Sequence, residues 1–280
     1  SLERIFQYII DAIIGACIYL IASQKPSRNG EVTDLNKNSI ELRNDGYWLV
    51  SKLRKANFLE DRLLNECPIP NICNLAKLRI EDITAILKSH NFDDLSNDFL
   101  FKTPLLSNKK ILKPTSSLIN SKLGRFCDAA NYQLDNYGRR WYVKTHECRK
   151  FWIVALYNFY PDPVALDICR RAAGHVHPEH TMEYIEASLT EHEKSHGKVN
   201  FTVNTLKNNI HQSEDITELR SLVLKAFGVN QISEIPEGML NKFIERSLKK
   251  GNIKVTTIVS HVHGEEIVRL GFLIKEASDG

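Results

Sequence analysis

The sequence predicts a mainly α-helical fold with a small antiparallel β-sheet (α+β), followed by a small C-terminal α/β module. Apolar residues recur at helical spacing in several segments, for example in residues 78–89 and 116–132. Two short runs of β-forming residues flank Asn44-Asp45-Gly46, a sequence typical of a tight hairpin turn. Hydrophobic residues make up 42% of the chain and charged residues 25%, which is typical of a globular protein and excludes general disorder.

We assign residues 1–193 to one domain. Residues 2–23 predict a buried helix that Pro26 ends, and Ser27 is in position to cap a short helix after it. The hairpin strands lie at residues 39–42 and 47–50, and a third strand is predicted at residues 63–69. Further helices are predicted at residues 78–89, 116–132, about 145–160, 164–173 and 181–191.

Residues 194–280 form a predicted C-terminal extension. Residues 197–213 are polar and show no clear period, so no helix is predicted there. Glycines in capping position end each of the two helices that follow. Helices followed by a hairpin are typical of a small winged-helix-like module. The predicted elements are helices at residues 215–227 and 236–251 and strands at residues 253–259 and 266–274.

The most hydrophobic run extends from Ile9 to Ala22, contains Asp11, and is shorter than the ~20 residues that a bilayer requires. We therefore expect a buried helix and no membrane span. The chain begins at Ser1 inside this helical pattern, as expected for a fragment of a longer protein. Six cysteines occur without a Cys-x-x-Cys pair and without a secretory signal, so we expect reduced thiols and a cytoplasmic location.

The net charge of +3 hides an asymmetry along the chain. Residues 25–150 contain 22 Lys and Arg against 15 Asp and Glu, a net charge of +7. Residues 151–280 contain 14 against 17, a net charge of −3. A basic first half favours a polyanionic partner such as DNA.

A group of reactive residues begins with His146 and Arg149, which are three residues apart and share one face of a helix. His175 follows a short apolar helix, and Tyr184 lies nine residues later on the next predicted helix. Together they supply a nucleophilic oxygen, cations for phosphate oxygens and proton donors. These are the groups that attack on a phosphodiester requires.

These residues resemble the tyrosine recombinase (phage integrase) family, whose signature is Arg, Lys, His-x-x-Arg, His or Trp, and Tyr in that order. The segment His146–Arg149 is similar to its His-x-x-Arg box. Gly174-His175, followed by Thr181 and Tyr184, is similar to its Gly-His…Thr…Tyr stretch. Upstream, Arg28-Asn29-Gly30-Glu31 resembles its Arg-x-x-Glu box, which a hairpin follows here as in the family. The resemblance covers roughly residues 5–190 and implies a tyrosine recombinase catalytic-domain-like fold.

The chain departs from the family pattern in three ways. Ala173 replaces the usual leucine before Gly174, the segment between the hairpin and His146 is hard to align, and the tail after Tyr184 is longer. None of these departures removes a reactive group.

The resemblance implies a catalytic role for each residue. Arg28 and Arg149 hold the non-bridging phosphate oxygens through bidentate hydrogen bonds. Tyr184 attacks the phosphorus to give a 3′-phosphotyrosine, His146 accepts its proton, and His175 hydrogen-bonds the phosphate.

The general acid for the 5′-oxygen is expected on the turn after the second strand, as Lys52 or Lys55. One ester replaces another in this reaction, so no ATP, metal or other cofactor is expected. The implied activity is site-specific DNA recombination or integration, with the recognition sequence and biological role left open.

The family resemblance also implies partners. We expect double-stranded DNA, self-association into a synaptic tetramer on DNA, and an N-terminal core-binding domain in the full-length protein. The extension 194–280 is expected to serve oligomerisation or accessory DNA binding. The apolar stripe of its first predicted helix needs a partner, either the extension's own hairpin or another subunit.

Two alternatives stay open at this point. His175, His177 and His180 imitate the His-x-His-x-Asp-His box of metal-dependent hydrolases, with Glu179 in the place of its aspartate. In the second alternative, the chain is a catalytically silent DNA-binding protein of the same fold.

Overall fold

A computed structural model describes residues 2–52, 64–96, 98–159, 164–175, 178–187, 189–208, 213–262 and 265–275. The fold is mainly α-helical with small, mostly antiparallel sheets, as the sequence predicts. The chain divides into two compact units. Unit 1 comprises Ser1–Trp152 with Ala172–Gly174, and unit 2 comprises Ile153–Arg171 with His175–Gly280. The functional boundary predicted at residue 193 stays a prediction.

The helices of the described residues follow the predicted order, with one addition in the C-terminal extension. They are α1 (Leu2–Ala22), α2 (Asn29–Thr33), α3 (Asn71–Ser89), α4 (Ser116–Ala129), α5 (Thr145–Phe159), α6 (Ala165–Ala173), α7 (Pro178–Glu186), α8 (Glu191–Asn208), α9 (Glu214–Phe227) and α10 (Glu237–Lys250).

Three small sheets accompany these helices. The first has the strand order β1-β2-β3 and is antiparallel throughout, the second is a mixed sheet with the order β4-β6-β5, and the third is the hairpin β7-β8. The strands are β1 (Ile40–Arg43), β2 (Gly46–Lys52), β3 (Leu64–Ile69), β4 (Asp93–Asp94), β5 (Thr103–Leu105), β6 (Lys110–Leu112), β7 (Ile253–Val262) and β8 (Glu265–Ile274).

The core of unit 1 forms where the C-terminal half of α1 packs on α3 and α4. Ile14, Ile18 and Ile21 are fully buried there. The N-terminal half of α1 instead exposes an apolar stripe. Its large exposed residues are Leu2, Ile5, Phe6, Ile9 and Ile13.

Helix α1 spans 21 residues, and by length and composition it is long and apolar enough to cross a membrane. The apolar helix is therefore longer than the run at residues 9–22, and its length does not exclude a membrane span. Within its most apolar window, 39% is buried inside the structure, and a core helix passes the same test.

Two local expectations in unit 1 were wrong. Ser27 does not cap α2: the N-cap residue is Arg28, and the buried Ser27 hydroxyl has no hydrogen-bond partner among the described residues. The β4-β6-β5 sheet lies between α3 and α4, where no strand was predicted, because its strands are too short to show a period.

The C-terminal extension contains one more helix than predicted. Helix α8 covers residues for which no helix was predicted, and it packs on α9 and α10. The glycine caps at Gly228 and Gly251 are confirmed, since both adopt the left-handed conformation. The α9 stripe, including the fully buried Leu219 and Val223, is covered by elements of the same extension, such as β8 and α8.

Candidate active site

The first arginine of the motif, Arg28, lies at the start of α2. The Glu31 carboxylate accepts a hydrogen bond from the Arg28 backbone N–H (2.9 Å) and forms an ion pair with its guanidinium (3.2 Å). Glu31 is 1% exposed, whereas the Arg28 side chain is 26% exposed. The glutamate of the Arg-x-x-Glu box therefore fixes the arginine and leaves part of its guanidinium accessible.

The second arginine, Arg149, lies one turn into α5 and is 4% exposed. Its guanidinium donates to the carbonyl of Pro26 and to the carbonyl of Ala173 (3.0 Å). Arg149 thus links the segment before α2 to the end of α6. A guanidinium carries five N–H donors, so one side chain can bind carbonyl groups and a phosphate together.

The end of α6 is where the two arginines converge. The last carbonyls of a helix have no partner inside the helix, and positive charge is favourable at this end. Three consecutive carbonyls here accept hydrogen bonds from side chains that are distant in sequence. The bonds run from Asn65 Nδ2 to Ala172 O (2.9 Å), from Arg149 Nη2 to Ala173 O (3.0 Å) and from Arg28 Nη2 to Gly174 O (3.5 Å).

Gly174 also ends α6 and directs the chain into His175. It adopts a positive φ of 62°, and the His175 N–H donates to the Arg170 carbonyl (2.9 Å). This is the Schellman arrangement, in which a glycine without a Cβ takes the left-handed conformation at low cost. The glycine of the Gly-His motif is therefore required by backbone geometry.

His146 lies in the first turn of α5 and is exposed. The neighbouring Thr145 hydroxyl is buried and donates to Asn29 Oδ1 (2.9 Å), which joins the start of α5 to the start of α2. Asn29 follows Arg28 and Thr145 precedes His146. The hydrogen bond therefore joins the residues next to these two predicted catalytic residues. The sequence spacing alone predicted α5 but not this link to α2.

Of the two candidate lysines, Lys52 is the last residue of β2 and is exposed. It lines an open cleft of about 550 Å³ together with Ser51, Glu31 and Asp34. Lys55 lies outside the described residues, so the choice between the two lysines stays open.

Sequence reasoning missed Lys25, which is 1% exposed. Its ammonium group donates to Ser51 Oγ (2.6 Å) and to the Asn65 carbonyl (2.6 Å). Burial lowers the pKa of Lys25 to about 8, against the opposing effect of the nearby Glu31 carboxylate. Lysines are mostly exposed, so no sequence signal marked this one as buried.

The remaining predicted residues belong to unit 2. His175 Nδ1 shares a hydrogen bond with the buried Thr181 hydroxyl (2.9 Å), which orients the imidazole. The ring of Tyr184 lies one turn further along α7, and its centroid is 6.3 Å from that of His175. The Gly-His…Thr…Tyr stretch is thus connected by side-chain contacts as well as by sequence.

Another tyrosine of unit 2, Tyr157, is less suited to nucleophilic attack. Burial, followed by the charge of Glu186, raises the pKa of Tyr157 to about 12. The phenolate is the attacking species, and a higher pKa makes it rarer at neutral pH.

The metal alternative depends on His177, which lies outside the described residues. The rings of His175 and His180 are 6.4 Å apart, and no group of three or more potential ligands is found among the described residues. The three-histidine hypothesis therefore stays a prediction.

A His-Glu-x-x-His pattern, His192 to His196, also occurs in the first turns of α8. Its glutamate, Glu193, accepts hydrogen bonds from the backbone N–H and the hydroxyl of Thr190, each at 2.7 Å. This is a helix-capping arrangement, which accounts for the glutamate without a metal.

All six cysteines are free thiols in the structure, as expected. No family model matches the sequence, and no curated protein matches it.

Two solved structures are similar to this chain. One is XerH site-specific recombinase bound to palindromic difH substrate in a post-cleavage complex, with 16% identity and a TM-score of 0.42 over 69% of this chain and 51% of that chain. The other is the pre-cleavage complex of XerH with difH, with 15% identity and a TM-score of 0.43 over 65% and 48%. The chain therefore spans about half the length of these structures. Both TM-scores lie below 0.5, so the functional argument rests on the residues described above.

Proposed function

We propose that this chain is the catalytic part of a tyrosine-type site-specific DNA recombinase or integrase. The observation that carries the proposal is the convergence of Arg28 and Arg149 on neighbouring carbonyls at the end of α6. Arg28 and its carbonyl partner are 146 positions apart in sequence. Two separate arginine boxes therefore meet in unit 1, and the chain continues from that point directly into His175.

The paired arginines suit a phosphodiester in the transition state. Negative charge grows on the non-bridging oxygens as the phosphorus is attacked, and guanidiniums bind such oxygens in a planar, bidentate geometry. Arg28 supplies the more accessible guanidinium. Arg149 is held by carbonyls on two sides, which fixes its orientation before substrate binds.

Tyr184 is the proposed nucleophile. Its phenolic oxygen bonds to phosphorus while the bond from phosphorus to the 5′-oxygen breaks, which leaves a 3′-phosphotyrosine. His146 accepts the phenolic proton, and His175 hydrogen-bonds the phosphate. The 5′-hydroxyl of a second strand reverses the step and rejoins DNA.

The leaving 5′-oxygen takes its proton from Lys52 or Lys55. Every charge-stabilising and proton-transfer role then belongs to a protein side chain, and the ester bond energy is retained. The proposed reaction accordingly uses no metal, nucleotide or other cofactor.

The proposed partner is double-stranded DNA, on which the protein assembles as a tetramer. We assign the contribution of residues 194–280 to this assembly. Since the α9 stripe is covered by the extension itself, a contact between subunits must use another surface.

A covalent-trapping experiment tests the proposed function. Duplexes with a randomised central sequence are first selected for binding to the full chain. A nick is then introduced into the selected duplexes, so that the short DNA fragment released by cleavage diffuses away. The chain is expected to form an adduct that survives denaturation, whereas Tyr184→Phe binds the same pool and forms none. Peptide mapping should locate the adduct at Tyr184.

The other outcomes separate the alternatives. Binding without an adduct would favour the silent DNA-binding protein, and an adduct at another tyrosine would refute the assignment of Tyr184. Adduct formation should be unchanged in excess EDTA. If EDTA abolished cleavage and zinc restored it, the hypothesis of His175, His177 and His180 would replace this one.

A further inference from the structure

Lys25, in the connection between α1 and α2, carries a charge that the reaction above does not use. It is 1% exposed, and its ammonium group is 2.6 Å from both Ser51 Oγ and the Asn65 carbonyl. These distances are short for N–H···O hydrogen bonds, as expected when the donor is charged. One side chain therefore binds two different strands.

The two strands are joined at a particular place. Ser51 on β2 and Asn65 on β3 lie opposite each other in the sheet. The adjacent pair, Lys52 and Leu64, is the last one before residues 53–63, which connect the two strands. Lys25 thus binds both strands one residue before Lys52, the last residue of β2, and the other candidate general acid, Lys55, follows three residues later in sequence.

Asn65 also contacts the end of α6, where Arg28 and Arg149 bind. Asn65 Nδ2 donates to the Ala172 carbonyl (2.9 Å), which directly precedes the carbonyls that Arg149 and Arg28 bind. On the other side of Lys25, the Pro26 carbonyl accepts a hydrogen bond from Arg149. Lys25 therefore lies between the last residue pairs of β2 and β3 and the carbonyl groups that bind Arg149 and Arg28.

The charge of Lys25 destabilises the fold at this buried position. Removing an ammonium group from water is strongly unfavourable, and an apolar side chain of similar volume avoids that desolvation. Burial lowers the pKa of Lys25 to about 8, while Glu31 on α2 and Cys67 and Glu66 on β3 act in the opposite direction. A methionine would fill the same space but would bind neither strand.

We infer that Lys25 is a positioning residue that fixes the base of the β2–β3 hairpin relative to Arg28 and Arg149. Its effect is to hold the general-acid lysine, Lys52 or Lys55, within reach of the leaving 5′-oxygen. This inference rests on the proposed function.

A change of leaving group separates this role from general structural support. In one substrate the bridging 5′-atom is oxygen, and in the other it is sulfur. Cleavage breaks the P–O or the P–S bond, and only the oxygen needs a proton, because a thiol with a pKa of about 8.5 leaves as the thiolate. A defect in positioning the general acid is therefore rescued by sulfur.

The test compares Lys25→Met with wild type in single-turnover cleavage of both substrates. Lys25→Met should cleave the oxygen substrate roughly 10- to 100-fold more slowly, as expected for a misplaced general acid. On the sulfur substrate it should lie within about threefold of wild type, on the same reasoning. Lys122→Met is the matched control, since Lys122 is also buried in unit 1 but pairs with Asp11 on α1. Any loss in this control should be equal on both substrates.

Equal losses on the two substrates, or no loss on the oxygen substrate, would overturn the role of Lys25. If Lys25→Met does not fold, Ser51→Ala removes the bond to β2 and keeps the charge, and it should show a smaller loss with the same rescue. Failure of the proposed function has a different signature. In that case wild type forms no adduct at Tyr184 with either substrate.

Discussion

Unit 1 and the C-terminal extension stabilise their interiors in different ways. Unit 1 buries charged side chains, whereas the described side chains of the extension (within residues 194–208, 213–262 and 265–275) that are buried are only apolar or hydroxyl-bearing. Buried charges cost more than apolar groups of the same volume, so their retention points to a role other than stability. Among the described residues, the buried charged side chains are Lys25, Glu31, Lys122 and Arg149 in unit 1 and Asp167 in unit 2.

The largest expected effect comes from Arg149, the buried charge that belongs to the predicted catalytic set. Arg149→Lys removes the planar group that binds the Pro26 and Ala173 carbonyls, and a single ammonium cannot replace both bonds with the same geometry. We expect a loss of about 2–3 kcal/mol in the free energy of unfolding, because buried carbonyls lose their charged donors. Adduct formation should fall by on the order of a hundredfold or more. Urea unfolding and single-turnover cleavage measure the two effects.

Arg28→Lys is the matched comparison for this prediction. Arg28 is 26% exposed and its ion pair with Glu31 can be kept by lysine, so the stability loss should stay below about 1 kcal/mol. The loss of adduct formation should be as large as for Arg149→Lys. A nearly active Arg149→Lys, or equal stability losses in the two variants, would contradict the distinction between them.

The sequence predicted those parts of the fold that have a local signal. The turn at Asn44-Asp45-Gly46 and the helix ends at Gly228 and Gly251 follow from backbone preferences of a few residues. Helix α8 was missed because glycine, histidine, threonine and asparagine give it weak helix propensity. Its packing on α9 and α10 outweighs that local preference.

The candidate site likewise contains residues that the sequence predicted and contacts that it did not. Residue order identified the arginine, histidine and tyrosine boxes, but contacts over long sequence distances were invisible. The bonds of Asn65 and Arg28 to the end of α6 span 107 and 146 positions. Lys25 had no sequence signal, since only the fold determines whether a lysine is buried. Ser27 failed as a cap because Arg28 is the N-cap residue of α2, so Ser27 lies one residue too early.

A largely buried ion pair in the extension, between Asp215 and Arg269, tests the role of the extension as a separate folding element. Asp215 on α9 accepts bonds from Arg269 at 3.0 and 2.8 Å and from the Phe272 N–H at 3.0 Å, which fixes β8 to α9. Asp215→Asn should lower the free energy of unfolding by about 2 kcal/mol at pH 7, because a charged acceptor is lost. Adduct formation should be unchanged at temperatures where both proteins are folded.

The effect should depend on pH in a defined direction. Burial raises the pKa of Asp215, but the bonds from Arg269, Ser213 and Phe272 outweigh it, so the pKa is lower than usual. A carboxylate of this kind stabilises the fold above its unfolded pKa of about 4, and that stabilisation is lost as pH falls below it. The difference between Asp215→Asn and wild type should therefore shrink as the pH falls from about 5 to about 3. Glu218→Gln removes a charge from the same helix without breaking an ion pair among the described residues, and it should show neither effect.

The smallest expected effect concerns the exposed side of α10. This helix buries Leu240, Ile244 and Ser247, so Lys242 and Arg246 lie on its outer side and make no ion pair with the described residues. If the extension serves assembly, reversing both charges with Lys242→Glu and Arg246→Glu should change the free energy of unfolding by less than about 0.5 kcal/mol. The affinity of the chain for the selected DNA pool should change by less than about threefold.

Each phosphate contact contributes about 0.9 to the slope of log affinity against log salt concentration. An unchanged slope is expected if these residues make no phosphate contact, while a slope reduced by about 2 would identify α10 as an accessory DNA-binding helix. The matched reversal, Lys52→Glu with Lys144→Glu, changes two exposed lysines of unit 1 and should reduce the slope, because the proposed function places DNA there.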